Sequence, residues 1–189
     1  MSALPYLHSA QRQFLYYKAL GEKAIEQVRD EQLFWHANEE SNSIATIVKH
    51  LRGNMLSRWT DFLTTDGEKP NRERDSEFEQ EQKARATILL QWNEGWDCLF
   101  KALDSIIDAD LGRIIYIRNE GHSVLEAINR QIAHYSYHVG QMVYIAKICV
   151  NEKWKSLSIP RNKSSEFNHD KFMQEKQRKH FTDDLLNKE

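Results

Sequence analysis

The sequence predicts an all-α fold in which four long amphipathic helices form one bundle. Apolar residues recur at spacings of three and four along four separate stretches, which is typical of helices with one buried face. The three prolines stand at positions 5, 70 and 160, and the intervals between them can hold long helices because proline breaks helix interiors. We predict a helical bundle domain at residues 1–154, followed at 155–189 by a C-terminal arm and a short, charged helical tail of the same domain.

The first two helices are predicted over residues 6–30 and 43–64. The polar stretch between them contains Ser41 and Ser43, and either serine suits an N-cap because its hydroxyl can accept a hydrogen bond from a first-turn amide. Four polar residues then follow one edge of the second helix's apolar stripe, each three or four positions after the last. They are His50, Asn54, Arg58 and Asp61.

A charged segment separates the second helix from the third. The pair Asp66-Gly67 indicates a turn, and residues 71–82 have few apolar side chains, which predicts an exposed loop and solvated first turns of the next helix. The third helix is predicted at roughly 76–108, with Trp92 and Trp96 on its apolar stripe. Large aromatic residues dominate core burial, so we expect both tryptophans in the core.

The fourth helix has the clearest start. Residues 114–118 are rich in β-branched side chains, which favours a short extended piece before it. Ser123 and Glu126 then form a capping box, which predicts a helix from near Val124 to about Val150. The helical pattern stops after Trp154. The arm at 155–165 could cover the mouth of a site or cross to a partner subunit, and the sequence leaves both open.

Composition excludes several classes of function. The 26 basic and 28 acidic residues nearly cancel, so no basic surface for nucleic acid is expected. No stretch approaches the ~20 apolar residues of a membrane span, and the N-terminus lacks the pattern of a signal peptide. Cys98 and Cys149 show no CxxC spacing, which favours free thiols in a reducing cytosol. We therefore expect a cytoplasmic protein that binds neither nucleic acid nor a membrane.

Two histidines in the fourth helix, His134 and His138, are candidate metal ligands. Residues four apart lie one above the other on a helix, so two imidazoles can reach a single transition-metal ion. A metal site needs a third ligand. His50 lies on the corresponding flank of the second helix's apolar stripe, which permits a site near the seam between the two helices. Taken alone, the spacing fits a structural pair as well as a ligand pair.

Two segments resemble the DinB/YfiT-like metalloenzyme superfamily. Residues 43–51 (SIATIVKHL), followed by Trp59, resemble its second helix, and residues 134–141 (HYSYHVGQ) are similar to its fourth-helix motif, in which two histidines precede Gly-Gln. The resemblance covers roughly residues 6–150, and the C-terminal part looks more like one uncharacterised branch. It implies a four-helix bundle of up-down-down-up type, often a homodimer, with one divalent metal held by His50, His134 and His138.

Around such a site, four residues are candidates for contacts to the ligands or to a substrate: Asn54, Arg58, Asp61 and Gln141. Metal-bound histidines generally donate their second ring nitrogen to a carboxylate or carbonyl. For Arg58 and Asp61 the alternative is an ordinary surface ion pair on one helix, and this alternative stays open.

The implied chemistry is that of an open metal site. Three neutral imidazoles leave a position for water or substrate, as in catalytic rather than structural metal sites. Imidazole suits zinc, nickel, copper or iron, so the metal's identity stays open. The first hypothesis is a metal-dependent transferase or hydrolase that activates water or a thiol, and relatives in the superfamily suggest thiol S-transfer to a small electrophile. The alternative is a non-catalytic, stress-linked homodimeric bundle with a structural metal or no metal.

Overall fold

The computed structural model describes residues 6–79 and 81–186, and this part of the chain is mostly helical. Pro5 and the first and last residues of the predicted domain, 1 and 189, fall outside those ranges. An antiparallel hairpin of β1 (Ile114–Ile117) and β2 (Glu120–Ser123) occupies the stretch predicted to be extended. The helices are α1 (Tyr6–Gln27), α2 (Ile44–Trp59), α3 (Arg85–Asp104), α4 (Val124–Val150), α5 (Ser164–Phe172) and α6 (Asp183–Leu186). The all-α prediction therefore holds in its coarse form.

The four long helices enclose one apolar core. Helix α1 packs against α4 and α2 packs against α3, while α2 also meets α4 and α1 meets α3. A cluster of aromatic rings lies where all four helices meet, with ring centroids 5.7–6.4 Å apart: Phe14, Trp59, Trp96 and Tyr135. Trp92 and Trp96 are both buried, which confirms their predicted place in the core. None of the helices in the described ranges is long and apolar enough to cross a membrane.

Hydrogen-bonded caps fix the starts of the two helices that carry the candidate ligands. The Ser43 hydroxyl accepts a hydrogen bond from the Thr46 amide at 3.1 Å, so Ser43 rather than Ser41 is the N-cap of α2. Ser123 and Glu126 form the predicted capping box, and α4 runs over the predicted residues. A defined start sets the direction in which every later side chain of the helix points.

The start of α3 differs from the prediction. The helix begins at Arg85 instead of near Ser76, and residues 75–78 form a single 3₁₀ turn. Arg85 holds this start by donating hydrogen bonds to the carbonyl oxygens of Ile25 and Val28 at the end of α1, at 2.8 and 2.6 Å. The sequence before Arg85 does not continue the helix, because the side chains of Glu77 and Phe78 turn into the protein and contact His50.

The hairpin holds the loop that follows α2. The Asp66 carboxylate accepts hydrogen bonds from the amides of Arg118 and Asn119 at the hairpin turn, both at 2.9 Å. The Gly67 amide donates to the Tyr116 carbonyl at 2.8 Å, and a Cβ on Gly67 would lie 3.1 Å from Ile117. The loop from Asp66 onward is thus fixed at its first residues by the hairpin.

The C-terminal arm lies against α1. Gln27 exchanges two hydrogen bonds with the backbone of Lys155, at 3.1 and 2.7 Å. Farther along, Asp183 pairs with Arg12, and the Thr182 side chain is buried. These contacts join the arm and tail to α1, a helix that carries none of the three candidate ligands.

Candidate metal centre

The structure brings the three predicted histidines together. His50 from α2 and the pair His134 and His138 from α4 each direct a ring nitrogen to one point, and these nitrogens all lie within 4.8 Å of one another. The Nε2 atoms of His50 and His134 are 3.3 Å apart. His50 and His138 are buried and His134 is half-buried, so the group lies at the seam between α2 and α4 with one side towards solvent.

Hydrogen bonds at Nδ1 orient two of the three rings. His50 donates from Nδ1 to the Glu77 carboxylate at 2.9 Å, and His138 donates from Nδ1 to the Gln141 amide oxygen at 2.9 Å. An ionised carboxylate and an amide oxygen can only accept, so each of the two rings carries a hydrogen on Nδ1. This leaves the Nε2 lone pairs of both rings available, which is the arrangement of histidine ligands with a fixed outer partner.

The spacing of two of the three nitrogens fits a transition metal. Two histidine nitrogens that bind one tetrahedral zinc ion at about 2.0–2.1 Å are separated by about 3.3–3.4 Å. The 3.3 Å between the Nε2 atoms of His50 and His134 matches this separation. Within the described part of the chain, no fourth histidine, cysteine or carboxylate belongs to this group. The protein therefore offers three donors and leaves further coordination positions to other molecules.

The surroundings keep the imidazoles of His134 and His138 neutral. Burial lowers the pKa of His134 to about 3, with further contributions from the neighbouring His138 and His50 and from two arginines. Burial and the proximity of His50 lower the pKa of His138 to about 4, against a smaller opposing effect of Gln141. Both groups are therefore unprotonated at neutral pH, and the neutral imidazole is the form that binds metals.

A chain of charged side chains is hydrogen-bonded to His50 through Glu77, on the side of the ring away from the other two histidines. Arg72 donates two hydrogen bonds to the Glu77 carboxylate, at 2.8 and 2.9 Å, and the two side chains are only 5% and 7% exposed. Burial alone would raise the pKa of Glu77, but the hydrogen bonds from His50 and Arg72 outweigh it and the pKa is lowered. Glu68 bridges Arg72 to Arg58 and also pairs with the exposed Arg118, so positive and negative charges alternate along this chain.

This network corrects the prediction of an exposed charge run at 71–82 at two positions, whereas most of the run is exposed as predicted. Arg72 and Glu77 from that run are buried, and sequence reasoning missed both residues and Glu68. One signal was present: Phe78 stands as a lone apolar residue beside Glu77. Its ring packs against His50 with centroids 4.9 Å apart, so this short stretch faces the site.

The four predicted neighbours of the ligands occupy different places. Gln141 contacts His138, as described above, whereas Asn54 accepts a hydrogen bond from the Tyr135 hydroxyl at 3.0 Å inside the core. Arg58 is buried and bonds to Glu68 and to the Gly67 carbonyl. Asp61 is exposed in the turn after α2. The alternative of a surface ion pair between Arg58 and Asp61 is therefore wrong, because Arg58 is buried and pairs with another carboxylate.

Comparison with known proteins gives a family without an assigned activity. A family model matches residues 2–163, a range that includes all three histidines as well as Glu77 and Arg72. No curated protein matches the chain, and no solved structure matches it either. Since the match spans most of the sequence, the chain belongs to the family described as "Protein of unknown function (DUF1572)".

Proposed function

We propose that the protein binds one divalent transition metal, such as zinc, nickel or iron, through His50, His134 and His138. The observation that carries the proposal is the convergence of the three imidazole nitrogens within 4.8 Å, with Glu77 and Gln141 orienting two of the rings. Histidines that are buried for packing alone do not require a shared point for their ring nitrogens. Three nitrogen donors, two of them held by outer hydrogen-bond partners, resemble the usual set of a catalytic metal site.

We further propose that the site is catalytic and acts on a small molecule. A metal with open positions would supply Lewis acidity and would lower the pKa of a bound water or thiol. The residues themselves hold the rings of His134 and His138 neutral, exclude water on the buried side and leave the side at His134 accessible. Phe78 and Tyr137 place aromatic rings beside His50 and His138, with centroids 4.9 and 5.0 Å away. Such walls suit a substrate with an apolar part.

The reaction class follows from the resemblance to the DinB/YfiT-like superfamily. That resemblance supports a four-helix bundle of the up-down-down-up type and a transferase that moves a thiol sulfur to a small electrophile. A hydrolase that activates water uses the same site and is the second reaction to screen. The free side of the metal centre at His134 supports either reaction, because each needs one exchangeable position.

The metal is tested first by elemental analysis. Purified protein without a histidine tag should contain close to one equivalent of a transition metal, and His138→Ala should lose it because only two ligands would remain. Thiol transfer and hydrolysis would then be screened with the metal that is found. If both proteins stay metal-free after reconstitution with zinc, nickel and iron, the metal site does not exist. If the wild type binds metal but shows neither activity, the catalytic part of the proposal loses its support.

A second candidate is a non-catalytic homodimer in which any metal is structural. It is favoured by an exposed stripe on the outer face of α4, where Tyr137 and Tyr144 are 63% and 67% exposed and Ile148 is also exposed. These residues recur at helical spacing opposite the core, and a second copy of the chain would cover them. Light scattering after size exclusion should then give a dimer that Tyr144→Lys converts to a monomer. A monomeric wild type would remove this candidate.

A further inference from the structure

A glycine on α2 makes room for the carboxylate that contacts His50. Gly53 follows His50 by three residues, and a Cβ built on it would lie 2.1 Å from Glu77 Oε1 and 2.7 Å from Glu77 Cδ. Both distances are far below van der Waals contact. The Glu77 carboxyl group thus occupies the space that any other side chain at position 53 would fill. Glycine in a helix interior is less stable than alanine by about 1 kcal/mol, so the gap has a local cost.

We propose that Gly53, Glu77 and Arg72 together position His50 for metal binding, an inference that rests on the proposed metal site. Gly53 opens a slot beside the imidazole, Glu77 enters it from the loop, and Arg72 holds the carboxylate by its two-pronged hydrogen bond. The carboxylate fixes the hydrogen of His50 on Nδ1 and directs Nε2 to the centre of the three histidines. Glu77 is therefore a positioning residue.

The two oriented ligands differ in how they obtain their partners. His138 uses Gln141, which lies three residues later on the same helix and needs no special space. His50 uses a residue 27 positions away, brought in by a loop that the hairpin fixes through Asp66 and Gly67. An ion pair between Arg72 and Glu77 alone would not require a glycine on α2. The gap at position 53 is needed because the carboxylate must reach the face of α2 that carries His50.

Gly53→Ala tests this role without changing any charge. The added methyl group displaces the carboxylate, and loss of an outer partner typically weakens metal affinity about 10–100-fold. Zinc affinity would be measured by competition with a chromophoric chelator on the full chain. The matched control is Gly140→Ala, which makes the same substitution inside α4 at a position where a Cβ meets no atom within 4 Å. The control should bind zinc as tightly as the wild type.

A second readout does not depend on metal. Nitrogen-15 NMR of the metal-free protein should show the His50 hydrogen on Nδ1 in the wild type and in Gly140→Ala, and a shift towards the other tautomer in Gly53→Ala. Glu77→Gln, which keeps the shape of the side chain, serves as the second variant if Gly53→Ala does not fold. It should also weaken zinc binding, because a neutral amide is a poorer partner for the imidazole and for Arg72.

The outcomes separate this inference from the proposed function. If the wild type binds zinc and Gly53→Ala binds it equally well with an unchanged His50 tautomer, or Glu77→Gln does so where Gly53→Ala does not fold, the positioning role is overturned and the three-histidine site stands. If the wild type binds no zinc and no other transition metal, the metal site and the positioning role are overturned together. Weaker zinc binding by Gly53→Ala, or by Glu77→Gln where Gly53→Ala does not fold, together with full zinc affinity in Gly140→Ala, supports the inference.

Discussion

Two segments of the chain are rich in both acidic and basic residues, yet they lie in opposite environments. In the loop at 66–79, Arg72 and Glu77 pair at 2.8 Å with side chains only 5% and 7% exposed. In the tail at 163–186, Lys163 and Glu166 pair at 2.6 Å with side chains 59% and 66% exposed. A high content of charged residues is common to both segments. The two segments differ in whether the interior of the fold offers hydrogen-bond or ion-pair partners to their charged side chains.

The loop has such partners and the tail has few. The loop meets the His50 imidazole, the gap at Gly53 and the two hairpin amides that bind Asp66. The tail meets one side of α1, where Asp183 pairs with Arg12. Burying a charge is unfavourable unless it is paired and hydrogen-bonded, so the loop buries Arg72 and Glu77 while its charged residues without such partners stay exposed. A charged run is therefore buried or solvated according to what it docks against.

The largest difference between the segments should appear when one member of a pair is removed. Arg72→Ala leaves Glu77 buried without its arginine, which typically lowers the free energy of unfolding by about 3–5 kcal/mol. Lys163→Ala, the matched change in the tail, should have no measurable effect because its pair is exposed to solvent. Urea unfolding of the metal-free proteins measures both. Equal effects of the two substitutions would show that burial does not separate the segments.

Much of the fold was predictable because helices depend on local patterns. The apolar spacing and the Ser123–Glu126 capping box predicted α4 over its observed residues. The start of α3 was not predictable from such patterns, since it depends on Arg85 reaching the carbonyl groups at the end of α1. The hairpin was predicted only as an extended piece, because its second strand, Glu120–Ser123, lacks β-branched residues.

The three candidate ligands were predictable from the sequence, whereas Glu77, which orients His50, was not. His134 and His138 share a helix face by spacing alone, and His50 lies on a matching flank of α2. Glu77 comes from a segment without helical periodicity, 27 residues from the histidine that it contacts. Its burial depends on a contact between distant parts of the chain. Gly53 lies inside a helix, where no turn requires a glycine. Such a glycine is the sequence feature that could have indicated the close approach of another side chain to α2 at this point.

Acid should weaken the site before it weakens the ion pairs of the tail. In the folded protein the pKa values of His134 and His138 are lowered to about 3 and 4 from 6.5, so between pH 6.5 and 4 the unfolded chain binds more protons. The free energy of unfolding of the metal-free protein should therefore fall as pH drops through this range. The pKa of Asp184 in the tail is lowered to about 2 from 3.8, so its pair loses stability only at lower pH.

Urea unfolding at pH 7, 6, 5 and 4 checks this dependence. The double variant His134→Gln, His138→Gln is the comparison, and its free energy of unfolding should change less over the same range because it lacks the two groups. His180, whose pKa is also lowered by burial and by Arg12, is present in both proteins, and its contribution cancels in the difference. Parallel curves for the two proteins would contradict the assignment of the effect to the site.

Removal of the whole tail should lower stability only modestly and leave the metal site unchanged. A chain that ends at residue 163 keeps the whole range matched by the family model, the three histidines and the loop with Glu77. It loses the ion pair of Asp183 with Arg12, the burial of Thr182 and the edge contact of Phe181 with Tyr16, so stability should fall by about 1–2 kcal/mol. Zinc affinity should stay within about twofold of the full chain, since no outer partner of a ligand is removed. A loss of affinity as large as that expected for Gly53→Ala would mean that the tail supports the site, and the contrast between the two charged segments would no longer hold.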